Sequence, residues 1–179
     1  PLGRVLGNGA GMAGKVFNVN RVPTVKNQAI SAYDPRALKG TGVTYATSPQ
    51  GADHTSGLTI RADIDHLGTE GQTELSRGSQ FKMAGYDTLG ACIFSGFGYG
   101  SAPDVIPNLL ESIYGWHVDE KVLTALGRES LRLERKFNRL AGFTKADDRL
   151  PEYMTREPLP PHNTVFDVPN EALDKTFEE

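Results

Sequence analysis

Glycine does most to limit what this chain can fold into. There are 20 glycines and 11 prolines in 179 residues, and the glycines cluster in residues 3–14, 40–57 and 85–100. They follow no fixed period, so neither a collagen-like chain nor a repeat array is built from them. Glycine admits positive φ and lets backbone approach a ligand or another backbone closely. The clusters therefore have two readings, a lined site or a loop-rich surface. Between them the apolar residues recur at helical spacing more often than at strand spacing. The fold class expected is mainly α, a multi-helical domain with long glycine-rich loops.

Helix is expected over residues 2–18, over about 73–86, from Asp104 to Gly115, and from Asp119 to a stop at Gly142. In the last of these Val122, Leu126, Leu133, Phe137 and Leu140 share one face and the surrounding charges read as a solvated one. Tyr114 and Trp116 are expected in the core. Val22 to Ile30 reads as extended, and Asp34, before Pro35, as a turn residue with a free carboxylate. Asp147 and Asp148 read as a cap or turn. The segment Pro158-Leu159-Pro160-Pro161 is expected to lie extended on the surface.

Composition excludes several function classes. Net charge is −3 with no basic block, which disfavours nucleic acid as a partner. No run reaches the roughly 18 apolar residues of a membrane helix. The run Gly7-Asn8-Gly9-Ala10-Gly11 lacks the spacing and the preceding strand of a dinucleotide fingerprint. The single cysteine, Cys92, forms no disulfide within the chain, and a reducing, cytoplasmic setting is expected. Taken alone, Cys92 reads either as a buried thiol in an apolar flank or as one ligand of a larger metal centre. An iron–sulfur cluster usually takes four thiolates, so the second reading needs ligands from elsewhere.

Tyr33-Asp34-Pro35-Arg36, Tyr45-Ala46-Thr47-Ser48-Pro49-Gln50-Gly51-Ala52-Asp53-His54, Asp87-x-x-Gly90-x-Cys92, Glu134-Arg135-Lys136-Phe137-Asn138 and Asp147-Asp148-Arg149-Leu150-Pro151 occur in this order. With Glu157-Pro158-Leu159-Pro160 they resemble the C-terminal half of the aldehyde ferredoxin oxidoreductases, tungsten-pterin enzymes. The resemblance covers roughly residues 1–160. It implies that Cys92 is the fourth ligand of a [4Fe–4S] cluster. It implies that Asp87 and the loop Leu89, Gly90, Ala91, Cys92, Ile93 hold a molybdopterin-type cofactor, and that His54 exchanges a proton beside the metal. The implied cofactors are a tungsten-bis-pterin and the cluster. The implied partners are ferredoxin and the N-terminal part of the same protein, and self-association with a second copy is expected from the surface that a truncated domain exposes.

Departures accompany the resemblance. The family's upstream C-x-x-C-x-x-x-C group is not in these residues. Ser56 stands where a cofactor-touching lysine is frequent, and Ala91 where leucine is frequent. The 179 residues are thus expected to be a C-terminal helical region without the N-terminal cofactor-binding domain. On their own they are expected to be inactive and to carry no cofactor. A truncated, non-catalytic interaction module is the alternative.

Overall fold

The computed structural model describes residues 1–178. Two short helices, α1 (Leu2–Gly7) and α2 (Gly9–Phe17), precede a hairpin of β1 (Thr24–Val25) and β2 (Gln28–Ala29). Then follow α3 (Lys39–Thr47), α4 (Gln72–Thr88), α5 (Gly96–Tyr99), α6 (Val105–Tyr114), α7 (Val122–Leu140), α8 (Glu152–Arg156) and α9 (Asn170–Lys175). The domain is mainly α, as expected. The helix expected over residues 2–18 is broken at Asn8. The extended segment from Val22 folds back on itself, because Lys26 and Asn27 both take positive φ (49° and 66°), the conformation a two-residue hairpin turn requires.

The core is built around α3. Val43, Tyr45 and Ala46 pack with Val25, Ala52, Leu150, Phe166, Val168 and Leu173. Every residue of α3 is buried. This corrects the reading of residues 40–47 as part of a glycine-rich loop. A helix buried all round has no amphipathic period to read, and two glycines and three threonines give it poor intrinsic propensity. The threonines are absorbed locally. Thr47 donates to the carbonyl of Val43 (2.8 Å), and Thr44 donates to that of Gly57 (2.8 Å). The segment 158–161 does lie at the surface, but the chain beyond it turns inward: Phe166 and Val168 enter the core, and the Phe166 amide donates to Met154 O (2.8 Å).

α4 and α7 make the most extensive helix–helix contact. They meet through glycine. A Cβ on Gly127 would lie 1.8 Å from the carbonyl oxygen of Phe81, and one on Gly85 would lie 2.2 Å from that of Leu123. This near-contact of backbones sets the rotation of α7. Gly127 and Leu131 turn inward, while Leu133, Phe137 (70% exposed) and Leu140 (79%) face out. The apolar stripe read from spacing is real, but only Val122 and Leu126 are half-buried and its C-terminal part is uncovered. Tyr114 and Trp116, expected in the core, are likewise exposed, since α6 buries only Leu110.

Two polar expectations change, those for Asp34 and Asp148. Asp34 is not free: it accepts from Arg36 Nε (2.9 Å), Nη2 (2.7 Å) and the Arg36 amide (2.9 Å). Burial would raise its pKa, but these bonds outweigh burial and lower it. Asp119 accepts from the Lys121 amide (2.9 Å) just before α7, whose N-cap is Lys121. Asp147 completes a capping box with Thr144, as a cap reading requires, whereas Asp148 is buried and paired with Lys26 (2.6 Å) and Arg135 (3.2 Å). Gly115 and Gly142 stop α6 and α7 where expected.

Candidate functional site

The C-terminal end of α4 positions Asp87 and everything up to Cys92. The Gly90 amide donates to Asp87 O (3.0 Å) and the Ala91 amide to Tyr86 O (2.9 Å). Gly90 sits at φ 65°. This pair of bonds around a left-handed glycine is a Schellman cap, and a β-carbon at Gly90 would strain it. The cap turns the chain sharply, so that Cys92 begins the short 3₁₀ turn Ile93–Ser95. Ser95 fixes the Cys92 carbonyl through its amide (3.0 Å) and hydroxyl (2.5 Å). The thiol is exposed. The apolar flank does not bury it, for Ile93 and Phe94 (74%) are themselves exposed. The reading of Cys92 as a small core residue is therefore corrected.

Opposite Asp87 lies the turn that follows α3. Ser48, Pro49, Gln50 and Ser56 line one side of a cavity of about 240 Å³; Gln80 and Asp87 of α4 and Ser130 and Glu134 of α7 line the others. Two residues of the Glu134–Asn138 run tie α7 to this turn. Arg135 Nη1 donates to Thr47 O (2.7 Å), and Asn138 Nδ2 donates to Pro49 O (2.7 Å). The charge run is thus only partly a solvated face, a correction that helical spacing could not supply because the acceptors are backbone carbonyls about 88 residues away.

The cavity is rich in acceptors. Burial, then the nearby charge of Asp53, raises the pKa of Asp87. Burial, then Asp87, raises that of Glu134. Gln80 is almost wholly buried. Its amide nitrogen donates to Thr47 Oγ1 (3.0 Å) and Ser76 Oγ (3.1 Å), but its Oε1 has no partner among the described residues. An orphaned buried acceptor is costly. A ligand bearing N–H donors would meet the carboxylates of Asp87 and Glu134, which line the cavity. A pterin, with its amino group and ring N–H, fits that donor demand. Cys92 fits as one of the four thiolates a [4Fe–4S] cluster takes.

His54 occupies the other side of the same turn, in the 3₁₀ segment His54–Ser56. Its Nδ1 lies 2.9 Å from Ser31 Oγ and 3.5 Å from Asp53 Oδ1, and its ring packs on Tyr33 with centroids 5.4 Å apart. Asp53 connects the two parts of the site, since it contacts His54 and its charge acts on Asp87. His54 does not line the Asp87 cavity. Gln80, Glu134, Ser31 and Tyr45 were given no role by sequence reasoning. Only Tyr45 and Glu134 lay within the family-like segments, and neither carried a signature of its chemistry.

A family model described as "Aldehyde ferredoxin oxidoreductase, domains 2 & 3" matches residues 1–179. A tungsten-containing aldehyde ferredoxin oxidoreductase of Pyrococcus furiosus is 32% identical over 146 residues, 76% of this chain and 24% of that protein. One from Pyrococcus horikoshii is 30% identical over 168 residues, 88% of this chain and 27% of its own length. One from Thermococcus kodakarensis is 30% identical over 146 residues, covering 76% and 24%. The chain spans about a quarter of the length of the curated relatives it matches. Among the described residues no helix is long and apolar enough to cross a membrane.

Proposed function

Because this chain belongs to the aldehyde ferredoxin oxidoreductase family, we propose that it forms the C-terminal part of an enzyme oxidising aldehydes to carboxylic acids, with ferredoxin as acceptor. The overall reaction is aldehyde plus water to carboxylic acid, two protons and two electrons. A bound tungsten pterin and a [4Fe–4S] cluster supply its redox chemistry. This chain's residues bind, orient and handle protons. Asp87 accepts N–H bonds from the pterin, and Glu134 adds an acceptor in the same cavity. The loop Leu89-Gly90-Ala91-Cys92-Ile93 offers backbone groups held by the helix cap, and Cys92 offers one thiolate. His54 takes or gives a proton at the substrate. The enzyme works in the reducing cytoplasm, in keeping with a free exposed thiol.

The observation that carries the reading is the cavity lined by the carboxylates of Asp87 and Glu134, with Cys92 five residues after Asp87, just beyond the capped end of α4. The remaining ligands and the rest of the cofactor enclosure come from another part of the protein, and the uncovered stripe of α7 and the exposed faces of α6 pack against that part or a second copy. Iron and acid-labile sulfide analysis tests this. The 179-residue chain alone is expected to hold neither, and to lack aldehyde-oxidising activity. A stoichiometric cluster in a monomer of this chain would overturn the ligand assignment. Coding sequence upstream of Pro1 is expected to contain a C-x-x-C-x-x-x-C group, and a start codon adjoining Pro1 would instead favour a non-catalytic module.

A further inference from the structure

We infer that Asp53 is a positioning residue for His54: its carboxylate, set beside Nδ1, keeps the ring proton on that nitrogen and leaves the Nε2 lone pair to take a proton. The inference rests on the reading of His54 as the proton-handling group and adds which ring nitrogen acts.

Nδ1 faces two oxygens, Ser31 Oγ at 2.9 Å and Asp53 Oδ1 at 3.5 Å. They are not equivalent. A serine hydroxyl can give or receive a hydrogen, so it accommodates either tautomer. An ionised carboxylate can only receive. It repels a bare ring lone pair turned toward it and attracts an N–H. At this distance Asp53 acts as a charge and not as a hydrogen-bond partner. The hydrogen bond itself runs from Nδ1 to Ser31 Oγ, which the carboxylate leaves free to accept. In the neutral ring the lone pair then resides on Nε2.

The carboxylate is held where it stands. Asp53 is the N-cap of the turn that carries His54, and its Oδ1 accepts from the Thr55 amide (2.8 Å). Its Oδ2 accepts from Gln50 Nε2 (2.9 Å), which also donates to Ser56 Oγ (2.8 Å). Gln50 and Ser56 line the Asp87 cavity, so the group that orients His54 is anchored in the cavity wall. Tyr33 packs on the imidazole and holds the plane of the ring. Nε2 makes no hydrogen bond among the described residues, and the side chain is 38% exposed. The consequence is a defined proton acceptor at Nε2.

Nitrogen NMR on the 179-residue chain, with the imidazole neutral, reads the tautomer directly, and the signals lost in His54→Gln identify the ring. The Nδ1–H form is expected to predominate. Asp53→Asn and Asp53→Ser both keep an oxygen for the Thr55 amide and remove the charge. Each should lower the ratio of Nδ1–H to Nε2–H by about two- to fivefold, the range for a partly exposed charge contact. Ser31→Ala leaves the carboxylate in place and should keep Nδ1–H the major form. A mainly Nε2–H ring in the parent, or an unchanged ratio in both Asp53 variants, overturns the proposal, and so does conversion to Nε2–H in Ser31→Ala. If the tautomer responds as expected but His54→Gln in the intact enzyme retains full activity, the reading of His54 fails while the positioning by Asp53 stands.

Discussion

Replacing Gly127 by alanine tests whether backbone contact between α4 and α7 sets the geometry of the Asp87 cavity. The added Cβ would lie 1.8 Å from Phe81 O and 2.7 Å from the Gly85 amide nitrogen. Real Cβ contacts stay beyond 3.0 Å, so the helices must part by about 1.2 Å at this point, the difference of the two distances. The obstacle is main chain within a helix and has no rotamer to change. Overpacking of this kind costs about 1–3 kcal/mol, occasionally more, and separating the helices also forfeits dispersion contacts along their length. Opposing this, alanine is favoured over glycine inside a helix by about 0.8–1 kcal/mol. The net expectation is a loss of about 2 kcal/mol, or a melting point lower by roughly 4–8 °C for a chain of this size. Gly78 provides the control, because it lies in α4 with nothing within 4 Å of its Cβ position. Gly78→Ala should gain up to about 1 kcal/mol from propensity alone. Urea unfolding followed by helical circular dichroism measures both. If Gly127→Ala proves as stable as Gly78→Ala, the close approach does not constrain the pair and the account of α7's rotation is wrong.

Other perturbations are equally specific. The Glu134 carboxyl is raised from 4.5 by burial and then by Asp87, so the folded state favours its protonated form. That contribution is complete below about pH 4.5 and is lost as pH rises through the higher folded value. Glu134→Gln should therefore gain stability relative to the parent between pH 4.5 and neutrality, and parallel urea midpoints at both ends of the range would contradict the assignment. Lys26 is buried between Asp148 and the carbonyl of Ala46 (2.8 Å). Lys26→Met leaves Asp148 with Arg135 alone and is expected to cost about 3 kcal/mol. In a double-mutant cycle with Asp148→Asn, additive losses would show that the pair is not coupled. Gln80→Leu removes the orphaned acceptor along with two donated bonds. It should cost about 1 kcal/mol in urea unfolding, because two donated bonds are lost while one unpaired acceptor is removed, and an unchanged midpoint would show that these bonds contribute nothing.

Much of the fold could be read where one face of a helix meets solvent or a glycine stops it. α4 with the turn beyond it, α6 ending at Gly115 and α7 ending at Gly142 all carry such local marks. α3 could not be read, because its stability comes from enclosure by Phe166, Val168 and Leu173 rather than from its own propensity or pattern. The stripe of α7 was legible as apolar but not as uncovered, since its setting depends on two glycines more than forty positions apart. At the site, Cys92 drew notice as the single cysteine, whereas Asp87, Gly90 and His54 stood out only through resemblance to a family. Gln80 and Ser31 were invisible, because a buried amide oxygen and a serine hydroxyl acquire meaning only from the groups that surround them.

The helix end at Gly90 makes the count between Asp87 and Cys92 unforgiving. In a helical turn each residue swings the chain by about 100°, and the cap fixes where that swing stops. Adding or deleting one residue between Thr88 and Ala91 would send the sulfur in a new direction while the carboxylate stayed put. Homologues that keep both groups should therefore tolerate exchange of side chains along this short stretch far more readily than any change in its length.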